Sequence, residues 1–184
     1  MFILVTGASA SGKSEYAEQR IIAIHQEEQH LVYLATMQPY GEEGKARVAK
    51  HRKQRALRNF ETLEWYVDLE QAQISQHSDV LLECMSNLAT NEMFAGNVPP
   101  EQLREHTQKC LDKILSGVEH LRKCSENLVI VTNEVFSDTL SYDETTLAYI
   151  RLLGHINVEL AQRADEVVEV VYGIPLIHKQ MGVE

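Results

Sequence analysis

Eight residues near the start of the chain, Gly7-Ala8-Ser9-Ala10-Ser11-Gly12-Lys13-Ser14, constrain what it can fold into more than any other stretch. They fit G-x-x-x-x-G-K-[ST], a pattern that carries meaning between a strand and a helix. Ahead of it lies Phe2-Ile3-Leu4-Val5-Thr6, apolar and rich in β-formers, and residues 13 to about 26 suit a helix. Strand, glycine turn and helix start together make a phosphate cradle. The glycines let backbone N–H groups turn inward, the helix start carries positive partial charge, and Lys13 can reach the terminal phosphates. Ser14 would then offer its hydroxyl to Mg²⁺. The bland alternative is a tight turn that binds nothing, and the flanking elements argue against it. Residues Gly7 to Ser14 are therefore expected to bind the phosphates of ATP or GTP.

The rest of the chain alternates in the same manner. Buried strands are expected near residues 31–36, 79–83, 128–132 and 166–171, with a short one at 63–67 and a short last one at 174–178. Helices are expected near 42–57, 69–76, 86–94, 100–122 and 144–163, and Gly96-Asn97-Val98-Pro99-Pro100 reads as a loop. Strands alternating with helices predict an α/β fold: a mainly parallel sheet covered on both faces, with a short C-terminal edge strand. With 184 residues, 44% of them apolar, and no linker or repeat, one domain spanning 1–184 is expected. The 17 basic and 27 acidic residues leave a net charge of −10, which argues against wholesale binding of nucleic acid or membrane surfaces. Cys84, Cys110 and Cys124 lack ligand spacing and one is left over from any pairing, so a reduced, cytoplasmic setting is the simplest expectation. No apolar run reaches membrane-spanning length.

Residues 45–58 stand out against that acidic background. They hold Lys45, Arg47, Lys50, Arg52, Lys53, Arg55 and Arg58, 7 of the 17 basic residues, together with His51. On a helix Arg47, His51 and Arg55 share one face at i, i+4 and i+8. Two readings stand at this point. The stretch is a solvated basic face, or one that meets an acidic partner; or flanking cations keep His51 neutral and nucleophilic while arginines hold the oxygens of a phosphate under attack.

A third constellation sits at expected strand ends, where ligands gather in open α/β sheets. Thr36, Glu83, Thr132, Asn133 and Glu134 all fall there. Glu83 closes an apolar strand, and a phosphate loop in the same sheet needs an acid to hold Mg²⁺ or its water. A lone Glu after a strand is otherwise simply solvated.

Taken together these residues resemble the bifunctional adenosylcobinamide kinase / adenosylcobinamide-phosphate guanylyltransferase family of cobalamin biosynthesis. The resemblance runs over nearly the whole chain: Ile3-Leu4-Val5-Thr6-Gly7 into Ser11-Gly12-Lys13-Ser14, then Tyr33-Leu34-Ala35-Thr36, Ala46-Arg47-Val48 leading to His51-Arg52 and Arg55, Leu81-Leu82-Glu83-Cys84, Thr90-Asn91, Val129-Ile130-Val131-Thr132-Asn133-Glu134-Val135, Gly154, Asn157, Ala164-Asp165-Glu166-Val167 and Gly173-Ile174-Pro175. The loop alone is shared by many nucleotide-binding proteins; the His-Arg helix and the Thr-Asn-Glu-Val after a strand are more specific.

The resemblance implies a P-loop fold of the RecA-like type and two reactions. A nucleoside triphosphate phosphorylates the aminopropanol hydroxyl of adenosylcobinamide. GTP then guanylylates a histidine, and the cobinamide phosphate takes up the GMP to give adenosylcobinamide-GDP. By position His51 would be that histidine, Arg47 and Arg55 its phosphate clamps, Lys13 and Glu83 catalytic, and Thr36, Asn133 and Glu134 further members of the nucleotide site. Ser14 and Glu83 would hold Mg²⁺. A homo-oligomer, a trimer in the family, is implied as well. The chain departs from the family pattern at Ala8 and Ala10, where a glycine and an arginine are usual, at Ala56 in place of a proline, and after Val135. There Phe136-Ser137-Asp138-Thr139-Leu140-Ser141 replaces a glycine-rich turn, and Leu147, Ile150 and Arg151 stand where the family carries an Arg and an Arg-Asp pair. Two other functions stay open on the residues: a P-loop kinase or nucleotidyltransferase for another small metabolite, and a non-catalytic nucleotide-binding regulatory subunit.

Overall fold

A computed structural model of the chain describes residues 1–39, 41, 58–96, 98–137 and 141–181. The expected helix over 42–57 lies outside the described residues. Among them the elements run β1 (Phe2–Thr6), α1 (Lys13–Ile24), β2 (His30–Ala35), β3 (Glu61–Glu64), β4 (Ser78–Glu83), α2 (Met85–Met93), α3 (Leu103–Cys124), β5 (Ser125–Val131), α4 (Glu144–Arg163), β6 (Glu166–Val171) and β7 (Ile174–Gln180), with single 3₁₀ turns at Leu69–Gln71 and Pro100–Gln102. One seven-stranded sheet results, in the order β3-β2-β4-β5-β1-β6-β7. Every pairing is parallel except β6 with β7.

The central strands are apolar on both sides because both sides are covered. Residues of even number in β1 and β2 (Phe2, Leu4, Val32, Leu34) meet Val80, Leu82, Leu128 and Ile130 in a core closed by α2, α3 and α4. The intervening residues (Ile3, Val5, Tyr33, Leu81, Val129, Val131) pack on the opposite face with Ala17 and Ile21 of α1. Each large side chain so buried contributes roughly 1.5–3 kcal/mol. The alternation of period two therefore sorts neighbouring residues into two separate cores.

Helix ends follow local chemistry. Asp143 caps α4, its Oδ1 accepting from the N–H groups of Thr145 and Thr146 at 2.9 Å each. On α3, Cys110, Ile114, Gly117, Val118 and Leu121 form the buried stripe. Gly117 lets that helix approach the Leu69–Gln71 turn, since a Cβ there would lie 2.6 Å from Leu69 Cβ.

Several expected boundaries moved. The helix expected over 69–76 is one 3₁₀ turn, closed by the N–H of Ala72 donating to Leu69 O. The strand expected at 63–67 is Glu61–Glu64, because pairing with β2 aligns Val32 with Glu61 and Ala35 with Glu64. β5 starts earlier, at Ser125, where a polar run still pairs with β4. The last strand is longer than expected and antiparallel, seven residues at the sheet edge. All three cysteines are free thiols. No helix among the described residues is long and apolar enough to cross a membrane.

Candidate functional site

Because β1, β2, β4, β5 and β6 are parallel, their carboxyl ends share one edge of the sheet. Residues 7–12 lie at that edge, between β1 and α1. Gly7 has φ +156°, and a Cβ there would meet Val170 O at 2.5 Å and Ser11 Oγ at 2.6 Å. Gly12 takes φ +92° at the start of α1, and no side chain caps that helix. Its first N–H groups, which have no partner within the helix, are left to a ligand or solvent. Ser11 Oγ is buried with no hydrogen-bond partner. An orphaned hydroxyl of this kind costs stability until something polar meets it.

Lys13 is buried, and its Nζ donates to Ala8 O at 2.9 Å. Burial lowers its pKa from the ordinary 10.5, against the opposing pull of Cys84 and Glu83. A buried ammonium with so little around it gains from a bound polyanion. Next to it, Ser14 Oγ donates to Glu83 Oε1 at 2.5 Å and Tyr33 Oη donates to Glu83 Oε2 at 2.5 Å. Both carboxylate oxygens are thus held, one by the phosphate-loop serine and one by a strand tyrosine. Hydroxyl and carboxylate are hard oxygen donors, and their convergence beside Lys13 fits Mg²⁺, which accepts a few protein oxygens and fills its shell with water and phosphate.

The other expected residues hold the edge together. Thr36 is fully buried and donates to Cys84 O at 2.8 Å, while its own carbonyl accepts from Asn91 Nδ2 at 2.8 Å. Asn133 Nδ2 donates to Ser86 Oγ at 2.6 Å, and Ser86 Oγ lies 3.0 Å from Cys84 Sγ. The N–H of Glu134 donates to Gly7 O, and its carboxylate accepts from the N–H groups of Phe136 and Ser137. So Thr36, Asn133 and Glu134 spend these groups on the frame around the loop. Arg47, His51 and Arg55 lie outside the described residues.

Sequence reasoning gave no role to Tyr33 or Ser86. Tyr33 could have been found from register: with Ala35 aligned to Glu83, the side chain two residues back on the adjacent strand shares its face. Ser86 gave no such signal. Five of the eight histidines form ordinary contacts: His25 with Asp79, His77 with Glu126, His106 with Met93 O, His120 with Ala72 O and His178 with Glu169. A cleft of about 660 Å³ opens between the first turns of α3 and α4, with Leu103, Leu111 and Leu147 beside Arg104, Arg151 and His155.

A glycine loop between a central strand and an uncapped helix, a buried lysine, and an acid at the end of β4, with only β5 between it and β1, define a P-loop nucleotide-binding protein of the RecA-like fold. The fold is shared with a solved ATPase domain that aligns over 100% of this chain and 78% of its own, at a TM-score of 0.52 and 12% identity. Residues 3–177 match the family of cobinamide kinase / cobinamide phosphate guanyltransferase, and the chain belongs to that family. It is 33% identical over 181 residues to the bifunctional adenosylcobalamin biosynthesis protein CobU of Escherichia coli, covering 95% of this chain and 97% of that one. The CobU of Salmonella typhimurium gives the same identity and coverage. The bifunctional adenosylcobalamin biosynthesis protein CobP of Pseudomonas aeruginosa is 26% identical over 179 residues, 94% of each chain.

Proposed function

We propose that the chain phosphorylates adenosylcobinamide with a nucleoside triphosphate and transfers GMP from GTP to the resulting phosphate, giving adenosylcobinamide-GDP. The observation that carries this reading is the family match across residues 3–177. It falls on a loop whose buried lysine, orphaned Ser11 hydroxyl and uncapped helix start suit a triphosphate.

In the first reaction the acceptor hydroxyl attacks the γ-phosphorus and a nucleoside diphosphate leaves. Lys13 would draw the charge that builds on the terminal oxygens. Ser14 and Glu83 would hold Mg²⁺, which neutralises phosphate charge when bound. Tyr33 keeps the Glu83 carboxylate turned toward Ser14. In the second reaction an imidazole nitrogen of His51 attacks the α-phosphorus of GTP and pyrophosphate leaves. A phosphate oxygen of the acceptor then attacks the guanylyl phosphorus, and the P–N bond breaks. Arg47 and Arg55 would clamp the phosphate oxygens. The corrinoid acceptor is broad and amphipathic, and the mixed cleft between α3 and α4 supplies a surface of that character. We further propose that residues 1–184 work as one domain within a homo-oligomer, a trimer as in the family.

The test is incubation with α-labelled GTP and Mg²⁺, denaturation and intact mass, in parallel with His51→Ala. An acid-labile GMP adduct is expected on the wild type and absent from His51→Ala, which should still phosphorylate the acceptor. Guanylyl transfer by His51→Ala at the wild-type rate would refute the covalent role.

A further inference from the structure

The β6–β7 turn is joined to the phosphate loop more closely than a hairpin end needs to be. The N–H of Gly173 donates to Ser11 O at 2.7 Å. A Cβ on Gly12 would stand 3.2 Å from Gly173 Cα, and one on Gly7 would stand 2.5 Å from Val170 O. The strand end and the turn therefore lie against the loop at its first and last glycines. Above Gly173 itself there is room: at φ +79° a Cβ would meet nothing within 4 Å.

Beside that open space stands Tyr172, in the left-handed region at φ +52° and 94% exposed. An aromatic residue rarely takes that backbone conformation, and a ring exposed to this degree gains nothing from burial where it is. Ile174, one residue beyond the glycine, is 63% exposed. So an open aromatic surface is attached by one peptide unit to the loop expected to hold phosphates.

We propose that Tyr172, with the β6–β7 turn, is the platform on which the base of the P-loop nucleotide stacks. The proposal rests on the reading of Gly7–Ser14 as a triphosphate site and adds the base half of that site. Stacking on an aromatic ring is tolerant of base identity because every base has a π-face. The platform consequently accepts adenine and guanine alike, and one loop can be charged with either ATP or GTP. Any preference between them has to come from hydrogen bonds elsewhere.

The experiment is titration calorimetry on the full chain with Mg²⁺ and three probes: ATP, GTP and inorganic tripolyphosphate, which has phosphates but no base. Tyr172→Ala should weaken both nucleotides about tenfold and equally, in line with the worth of a base–aromatic stack. It should leave tripolyphosphate unchanged, and Tyr172→Phe should bind all three as the wild type does. Unaltered nucleotide affinity in Tyr172→Ala overturns the proposal, as does an equal loss for tripolyphosphate, which would mean that the turn had shifted. A change in sedimentation mass with unaltered affinities also overturns it and assigns the exposed ring to a contact between copies of the chain. A wild type that binds none of the three probes removes the triphosphate reading of the loop itself; binding of tripolyphosphate as tightly as of nucleotides keeps that reading and removes only the platform.

Discussion

Replacing Tyr33 by Phe deletes one oxygen and leaves the ring, so it tests the hold on Glu83. The ring is buried in β2, with Phe60 edge-on at 5.7 Å between centroids, and Phe preserves both. What is lost is the hydroxyl that donates to Glu83 Oε2 at 2.5 Å. A hydrogen bond to a charged acceptor is worth roughly 1.5–3 kcal/mol net. Glu83 is half-buried, so water replaces part of that, and about 1.5 kcal/mol is the expected loss of stability. For a chain of this size about 2–4 °C accompanies each kcal/mol, giving a drop in Tm of roughly 3–6 °C. Circular dichroism during heating, without metal or nucleotide, measures it. Because the hydroxyl acts through Glu83, adding Glu83→Gln should cost less than it does in the wild type, with a coupling on the order of 1 kcal/mol. With Glu83 in its proposed role at Mg²⁺, the kinase rate should fall about tenfold. A Tm within about 1 °C of the wild type, or strict additivity with Glu83→Gln, would refute the reasoning.

Two further outcomes test other links. Gly117→Ala sets a Cβ 2.6 Å from Leu69 Cβ and 3.0 Å from Glu70 N. Overpacking of roughly 1–3 kcal/mol then outweighs the gain of about 1 kcal/mol from alanine in a helix, so urea midpoints should fall; a rise would show that α3 does not approach the Leu69–Gln71 turn so closely. Lys13 has its pKa lowered by burial, so the free protein gives up that proton below 10.5 as pH rises. Its attraction for phosphate is fully present below the lowered value and is lost as pH climbs through it. Calorimetry of ATP binding should therefore show affinity falling before pH 10.5 is reached, a fall absent from Lys13→Met. The same titration acts oppositely on the free protein: between the lowered value and 10.5 the unfolded chain holds the extra proton, and this group's contribution to stability rises with pH.

Much of the loop and sheet was legible because it is written in short local patterns. The apolar run before Gly7, the glycine spacing and Lys13-Ser14 each follow from contacts within a few residues. Glu83 stood out in the sequence only because a phosphate loop lies in the same sheet, since a lone Glu after a strand is otherwise simply solvated. What the chain did not disclose depends on register between strands distant in sequence. Tyr33 reads as one more core residue until β2 is set beside β4. Thr36 and Asn133 read as ligand-facing at strand ends, and only the packed structure shows these groups turned to Cys84 and Ser86. The 69–76 segment has helical composition, yet a single turn is all that forms before the chain enters β4. Tyr172 carries no periodic signal, since its meaning lies in the approach of Gly173 to Ser11.

The strand order also fixes when the site can exist during synthesis. β1 leaves the ribosome first, yet it pairs with Leu128–Val131 on one side and Glu166–Glu169 on the other. At about 5–20 residues per second the wait between its emergence and that of its last neighbour is roughly ten to thirty seconds. Through that interval the glycine loop has no frame, and the nascent chain gains nothing from cellular nucleotide, which stabilises only a form able to bind it. Premature termination before Glu166 would leave β1 with a bare, apolar edge, a template for pairing with other chains. β6 thus gates the shelter that nucleotide can give, since only a chain translated through Glu169 can frame the loop.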